Sequence, residues 1–244
     1  MPSLAVVGQL SRDAIAGGAP RIGGPPWHAA RALRALGVDA RLVAKCGERD
    51  AIDFTRRLET LELPFDLVVG AETTAFSFSY DENGARTMAV DVVGDPWHED
   101  ELRLLDVEWV YVAPLLRGEI DVAWIAEGRR VLLDGHGLVR VPKTGPLRLD
   151  GDFDRGALRH VAMVKLADEE AAVAGAVDAP EVIVTHGARG ATVNGVLVEA
   201  EPVDRDPTGA GDMFGAAYLV SRSEGAEPVD AARRAAALVS ELLR

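Results

Sequence analysis

The chain has 244 residues, a formal net charge of −13 and an apolar fraction of 48%. This length fits one large α/β domain or two small ones, and the apolar fraction is enough to bury a substantial core. The acidic balance disfavours nucleic acid and anionic membrane surfaces as partners, because both need clustered Lys or Arg. Cys46 is the sole cysteine, and no apolar run approaches the roughly 18 residues of a membrane span. We therefore expect a cytoplasmic globular protein.

Short apolar runs rich in Val and Leu alternate along the chain with Ala-rich segments of helical period. This alternation is typical of a mostly parallel central sheet covered by helices on both faces, so we predict an α/β fold. The predicted core strands are Leu4 to Gly8, Arg41 to Lys45, Trp109 to Ala113, Val131 to Asp134, Val161 to Leu166 and Val182 to Thr185.

The first helix is predicted from Trp27 to Leu36, with Pro25 and Pro26 suited to its first turn and Gly37 to its end. Its spacing places one apolar stripe on a single face, formed by Ala29, Leu33 and Leu36. A second amphipathic, Ala-rich helix is predicted from Ala231 to Leu243.

One stretch alternates with period two instead of helical period. Thr74 to Tyr80 and Arg86 to Val92 flank a turn at Asp81 to Gly84, which predicts a β-hairpin. Phe76 and Phe78 share one face of it with Tyr80, and this apolar face needs a partner. Two interpretations remain open and are compatible: the hairpin packs on the sheet edge or on a second subunit, or it closes over a substrate.

The segment from Asp206 to Asp212 combines small residues, a helix start and a carboxylate. Thr208 is predicted to cap the following helix, and Gly209, Ala210 and Gly211 have no bulk that would keep their backbone N–H groups from a phosphate. A carboxylate at Asp212 would repel that phosphate unless it accepted the proton of an attacking hydroxyl. The segment therefore favours phosphoryl transfer.

This segment resembles the D-T-T-G-A-G-D signature of the ribokinase (PfkB) family of carbohydrate kinases, with Pro207 at a variable place. Three other stretches resemble family motifs and occur in the family's order. They are Gly23-Gly24 with the helix that follows, Val164 to Glu170 as the N-x-x-E segment, and Val184 to Gly190 as the T-x-G-x-x-G loop.

The resemblance implies a ribokinase-like three-layer α/β sandwich over residues 1–244, with small β lid elements around residues 12–24 and 73–92. It also implies the site. Asp212 would be the catalytic base, assisted by Gly209, Ala210 and Gly211. The implied substrate-binding residues are Asp13, Gly23, Gly24, His28, Asp134 and Arg140, and the implied nucleotide-binding residues are Thr185, Gly187, Gly190 and Thr208.

Three positions depart from the family pattern. His28 stands where the family usually has Asn, and Ala167 replaces the Asn of N-x-x-E, leaving Glu170 to organise magnesium. The stretch from Asp134 to Arg140 resembles the D-x-Q-G-x-x-R stretch of a subgroup that includes inositol kinases, with His136 in the Gln place. This last match points toward cyclitols.

The expected activity is ATP-dependent phosphorylation of a hydroxyl on a small sugar, polyol or cyclitol. Magnesium is the expected cofactor, and the resemblance allows a monovalent cation such as K⁺ near Asp206. No P-loop lysine motif is present, so we expect magnesium, backbone N–H groups and an arginine to neutralise the phosphates. A homodimer through the lid is compatible with the hairpin.

Two alternatives remain open. A nucleoside kinase would need a stacking slot for the base, which Trp27 or Phe78 could provide. A catalytically weak ribokinase-like protein that binds or senses a ligand would also retain the cleft.

Overall fold

The computed structural model describes residues 4–80, 86–102, 105–201, 203 and 208–244. The strands are β1 Leu4–Gln9, β2 Ser11–Ile15, β3 Arg21–Gly23, β4 Ala40–Gly47, β5 Phe65–Gly70, β6 Thr74–Tyr80, β7 Arg86–Val92, β8 Trp109–Ala113, β9 Arg130–Asp134, β10 Gly145–Pro146, β11 Met163–Ala167, β12 Glu181–Thr185, β13 Ala191–Val193 and β14 Val196–Val198. The helices are α1 Pro25–Leu36, α2 Glu48–Glu59, α3 Ala123–Ala126, α4 His136–Val139, α5 Asp168–Ala174, α6 Ala210–Ser223 and α7 Pro228–Leu242.

The central sheet has the strand order β14-β13-β12-β11-β9-β8-β1-β4-β5, and its pairs are parallel from β12 to β5. Successive side chains of β1 enter two separate cores on opposite faces. Leu4 and Val6 pack on the side of α1, α6 and α7, while Ala5 and Val7 pack on the side of α3 and α5. Burial on both faces explains why the core strands are continuous apolar runs.

A second sheet, in the order β10-β7-β6-β2-β3, lies beside the carboxyl end of β1. Its β6 and β7 form the predicted antiparallel hairpin, with Phe78 opposite Met88. Phe76, Phe78 and Val90 pack against Leu115 and Leu116 in a third apolar cluster. This packing supplies the partner that the apolar face requires; the predicted turn at Asp81 to Gly84 lies outside the described residues.

The predicted core strands are all present, with ends that differ by at most two residues on the described chain. Three details were wrong. Strand β5 was not predicted, Leu36 is 39% exposed and does not join the buried stripe of α1, and the N-cap of α6 is Gly209 instead of Thr208. Gly209 adopts φ 78°, a left-handed conformation that favours glycine. Among the described helices, none has the length and apolarity needed to span a membrane.

Candidate active site

A cavity of about 170 Å³ lies between the second sheet and the amino end of α6. The carboxyl ends of parallel strands meet at this edge of the central sheet, which brings distant parts of the chain together. The cavity is lined by Ser11, Asp13, Gly24, Pro25, His28, Phe76, Phe78, Met88, Leu115, His136, Arg140, Thr208, Gly209, Gly211 and Asp212. Sequence motifs that lie far apart along the chain therefore converge on one site.

Asp212 lies in the first turn of α6 and is 8% exposed. Its Oδ1 atom has no hydrogen-bond partner among the described residues. Burial, reinforced by the nearby Asp134 carboxylate, raises the pKa of Asp212 to about 6, although His136 and Lys165 act in the opposite direction. A buried carboxylate with a free oxygen and a raised pKa is suited to accept a proton near neutral pH.

The start of α6 approaches the cavity without side-chain bulk. A Cβ atom on Gly209 would lie 2.3 Å from Cγ of His28, so the imidazole packs directly over the Gly209 backbone. Because an alanine would collide there, Gly209 is required both by its φ and by His28. The exposed N–H groups of this helix end form the positive terminus that favours an anion.

Asp134 does not line the cavity, which corrects its predicted place against the substrate. It is fully buried, and its Oδ2 atom lies 2.9 Å from Nζ of Lys165 and accepts a hydrogen bond from the Tyr111 hydroxyl. Burial favours the neutral acid, but His136, Lys165 and Tyr111 together hold the pKa of Asp134 below its usual value.

Lys165 is a component of the site that sequence reasoning missed. Its Nζ atom would lie 3.4 Å from a Cβ atom on Gly211, so a buried cation sits directly under the helix end. The expectation that magnesium, backbone N–H groups and an arginine neutralise the phosphates did not consider this lysine. A lysine inside an apolar strand shows no pattern of its own, and its proximity to Gly211 depends on how β11 and α6 pack.

Glu170 of α5 lies in a cluster of buried charged and polar groups with Arg140, His136 and Asp212. Its Oε2 atom accepts the Ala167 N–H at 2.9 Å, while Oε1 lies 3.3 Å from Nε of Arg140 and 3.4 Å from Nε2 of His136. Glu170 Oε1, Arg140 Nε, His136 Nδ1 and Asp212 Oδ1 are all buried without a hydrogen-bond partner in the described part of the chain. Arg140 Nε and Glu170 Oε1 face each other only as an ion pair, and buried groups without hydrogen bonds are rare, so the cluster is suited to a ligand that would complete these contacts.

The second sheet contributes Asp13 from β2. Its Oδ1 atom accepts a hydrogen bond from the Ser11 hydroxyl at 2.8 Å. A Cβ atom on Gly23 would lie 2.1 Å from Asp13 Oδ2, so Gly23 makes room for that carboxylate but does not itself line the cavity. Gly24 does line it, with φ 92°.

A separate crevice of about 150 Å³ lies on the other side of Gly211. Three residues predicted to bind the nucleotide, Thr185, Gly187 and Gly190, line it together with the apolar side chains of Phe214 and Val239. Thr208 lines the first cavity and not the crevice, which corrects its predicted position at the nucleotide. Asp206 lies outside the described residues.

Residues 157–243 match the model of the pfkB family carbohydrate kinases. A pyrophosphate-dependent kinase in the ribokinase family superimposes with a TM-score of 0.84 at 25% sequence identity, covering 99% of this chain and 95% of that one. A pyrophosphate-dependent kinase of the ribokinase family complexed with a pyrophosphate analog and myo-inositol gives 0.85 at 24%, with coverage of 99% and 95%. The nucleoside kinase of Burkholderia thailandensis with inosine gives 0.75 at 19%, with 97% and 89%. The search of curated proteins gave no match.

The fold and the site together define a ribokinase-like phosphotransferase. The family match covers the segment that contains β11, α6 and Asp212, and the structural match extends over nearly the whole chain. Residues 157–243 of the chain match the PfkB carbohydrate kinases, and its fold over nearly the whole length is that of ribokinase-family kinases.

Proposed function

We propose that this kinase transfers a phosphoryl group to a hydroxyl of a small sugar, polyol or cyclitol, with Asp212 as the catalytic base. The observation that carries the proposal is the unpartnered Oδ1 of Asp212, among the described residues, in a cavity lined by Asp13 and His28 beside the amino end of α6. Asp212 accepts the hydroxyl proton as the oxygen bonds to phosphorus and the bond to the leaving group breaks.

Other residues assist that transfer. The N–H groups of Gly209, Ala210 and Gly211 hold the transferred phosphoryl group, and the positive charges of Lys165 and Arg140 balance its charge. Strands β2, β3, β6 and β7 act as a lid that excludes water, which would otherwise accept the phosphoryl group.

The acceptor cavity supports a compact substrate. Its volume of about 170 Å³ is below the range of about 300–1,000 Å³ that is usual for drug-sized ligands. Trp27 of α1, a candidate for stacking on a nucleobase, packs against the core and does not line the cavity, although Phe78 does. A cyclitol is therefore favoured over a nucleoside, in keeping with the kinase that binds myo-inositol.

Glu170 fits a role in holding magnesium through water. Its Oε1 atom has no hydrogen-bond partner within the described residues and faces the cluster that contains Asp212. When bound, magnesium neutralises the charge of the donor phosphates. The monovalent cation and the homodimer through the lid stay predictions.

ATP is our first proposal for the donor, because the crevice beside Gly211 offers an apolar wall suited to a nucleobase. Pyrophosphate is the second candidate. It is favoured by the structural similarity to a pyrophosphate-dependent kinase at 25% identity and by the small volume of the crevice.

The test is a panel of acceptors with each donor in turn, run in parallel on the wild type and on Asp212→Asn. The acceptors are myo-inositol, ribose, fructose and inosine, and the donors are ATP and pyrophosphate with magnesium. We expect one polyol to be phosphorylated and the substitution to lower kcat by about 10²- to 10⁴-fold. If inosine alone is phosphorylated, the polyol proposal is wrong. Acceptors that raise the Tm of the wild type without turnover would favour the ligand-binding alternative.

A further inference from the structure

Two adjacent threonines anchor the start of β6 to different parts of the molecule. Thr73 and Thr74 are 2% and 1% exposed. The Thr73 hydroxyl donates to Asp50 of α2 and accepts the Gly47 N–H. The Thr74 oxygen lies 2.9 Å from Oε1 of Gln9, 3.3 Å from Oε1 of Glu119 and 3.0 Å from the Gly94 nitrogen. The base of the second sheet is therefore held by a buried polar network.

The positions of the protons in this network follow from the contacts of Gln9. The Gln9 Nε2 atom donates to the Asp95 carbonyl at 2.6 Å, which fixes the amide and leaves its oxygen facing Thr74. The single Thr74 proton then goes to Gln9, and the Thr74 oxygen accepts the Gly94 N–H. While that proton is on the bond to Gln9, the 3.3 Å contact with Glu119 Oε1 is a hydrogen bond only if a neutral Glu119 carboxyl donates; a charged Glu119 would instead compete with Gln9 for the Thr74 proton.

The surroundings of Glu119 favour the neutral carboxyl. The residue is 3% exposed, and burial raises the pKa of its carboxyl to about 8, although the Leu116 and Leu115 amides and Thr74 favour the charged form. A neutral Glu119 satisfies every partner, because its other oxygen, Oε2, accepts the Leu115 N–H at 2.6 Å.

Leu115 connects the hydrogen-bond network of Thr74 and Glu119 to the acceptor cavity. It lines the acceptor cavity and packs with Phe76 and Phe78 in the cluster beneath the lid. Glu119 thus bridges the first residue of β6 and the wall of the cavity that the lid covers. In addition, its backbone carbonyl accepts the Trp97 N–H at 2.7 Å, which holds the bridge to the body of the protein.

We propose that Glu119 is a positioning residue that fixes the lid strand β6 over the acceptor by bridging the Thr74 hydroxyl and the Leu115 N–H. This inference rests on the proposed function of the cavity. Loss of the bridge lets the lid and the Leu115 segment shift against each other, which weakens acceptor binding and admits water to the donor.

The test compares Glu119→Ala with Glu119→Gln. Glutamine retains one donor for Thr74 and one acceptor for Leu115, so it mimics the neutral acid. In Glu119→Ala we expect the acceptor KM and the ratio of donor hydrolysis to acceptor phosphorylation each to rise by about tenfold. Glu119→Gln should stay within about twofold of the wild type. Equal impairment of the two variants, or unchanged coupling in a folded Glu119→Ala, would overturn the proposal.

Two threonine variants test the bridge from its other end. Thr74→Val removes the hydroxyl from the bridge and should reproduce the uncoupling of Glu119→Ala. Thr73→Val breaks the anchor to Asp50 but leaves the bridge intact, so it should lower Tm without raising the hydrolysis ratio. Uncoupling by Thr73→Val that matches Thr74→Val would count against the assignment. If Glu119→Ala does not fold, the comparison of Thr74→Val with Thr73→Val still tests whether the bridge positions the lid.

Hydrogen exchange separates this proposal from the proposed function. The Leu115 amide should exchange faster in Thr74→Val than in the wild type while it stays protected in Glu119→Gln, whether or not any acceptor is turned over. Unchanged protection of Leu115 in Thr74→Val would refute the bridge. Absence of turnover in the wild type, with the expected exchange pattern, would instead refute the polyol kinase assignment.

Discussion

At the scale of single residues, the site holds two neighbouring buried carboxylates, Asp134 and Asp212, whose pKa values are shifted in opposite directions. Asp134 is held charged by Lys165 and the Tyr111 hydroxyl, whereas burial raises the pKa of Asp212 to about 6. Environments that separate the pKa values of neighbouring acids assign different roles to them. Asp212 can therefore exchange a proton near neutral pH while Asp134 stays an anion that holds Lys165 in place.

The pH dependence of the reaction should reflect Asp212. Since the base must be deprotonated, kcat/KM is expected to rise with pH through about 6 and then to level off. The sign for stability is opposite. Because folding raises this pKa above the unfolded value of 3.8, the unfolded state loses the Asp212 proton first, and the free energy of unfolding falls as pH rises from about 4 to about 6.

Asp212→Asn should therefore gain Tm relative to the wild type at pH 8 but not at pH 4. A pH-rate profile and thermal unfolding at these two pH values check the prediction. A flat rate profile between pH 5 and pH 7, or an equal Tm difference at both values, would contradict it.

The pairing of Lys165 with Asp134 predicts a large effect on stability. Lys165→Met should lower the free energy of unfolding by about 3–5 kcal/mol, because it leaves Asp134 charged and buried without its cation. Lys165→Met combined with Asp134→Asn should lose less, since the amide carries no charge and its oxygen still accepts from Tyr111. Urea denaturation measures both variants.

Lys143→Met is the matched control for the loss of a lysine, because Lys143 is exposed. It should leave the stability nearly unchanged. Additive losses from the Lys165 and Asp134 substitutions would show that the two side chains are not coupled.

At the scale of elements, α6 and α7 divide the site. The first turn of α6 carries Asp212 into the acceptor cavity, while Ala236 and Val239 of α7, with Leu243 just after the helix, close the crevice. A substitution on α7 can therefore change donor binding without contact with the acceptor.

Ala236→Leu separates the two candidate donors. A larger side chain at this buried position of α7 fills space in the crevice of about 150 Å³, so it should raise the KM for ATP by about tenfold if the base binds there. The KM for pyrophosphate, which has no base, should stay unchanged. Ala237→Leu, on the exposed face of the same helix, is the control. Unchanged KM values for both donors would show that the base does not bind in the crevice, and an equal rise for both would show that the effect is not specific to the base.

At the scale of the whole molecule, the core strands and the position of Asp212 could be predicted from the sequence. Buried parallel strands are continuous apolar runs, and the segment that ends at Asp212 combines small residues with a helix start, a pattern suited to close approach of a phosphate. The hairpin could be predicted because its alternation differs from every helix-covered strand. These signals are local in the chain, so they survive without tertiary information.

The features that escaped prediction depend on packing between distant elements. The roles of Lys165 and Glu119 arise from contacts with Gly211 and Thr74, which lie more than 40 residues away in each case. Thr208 has the side chain of a good N-cap, yet the helix begins after Gly209, whose left-handed φ and packing against the His28 ring exclude a side chain. Strand β5 is a half-buried edge strand containing Asp66, which weakened its apolar signal.

Gly211 lines both the cavity that we propose for the acceptor and the crevice that we propose for the donor. For an engineer, the two halves of the reaction are thus separable design problems. A library restricted to Phe76, Phe78 and Met88 could change which alcohol is accepted while the crevice walls stay as they are. A library of variants on α7 could change which phosphoryl donor is used while the same alcohol is still phosphorylated.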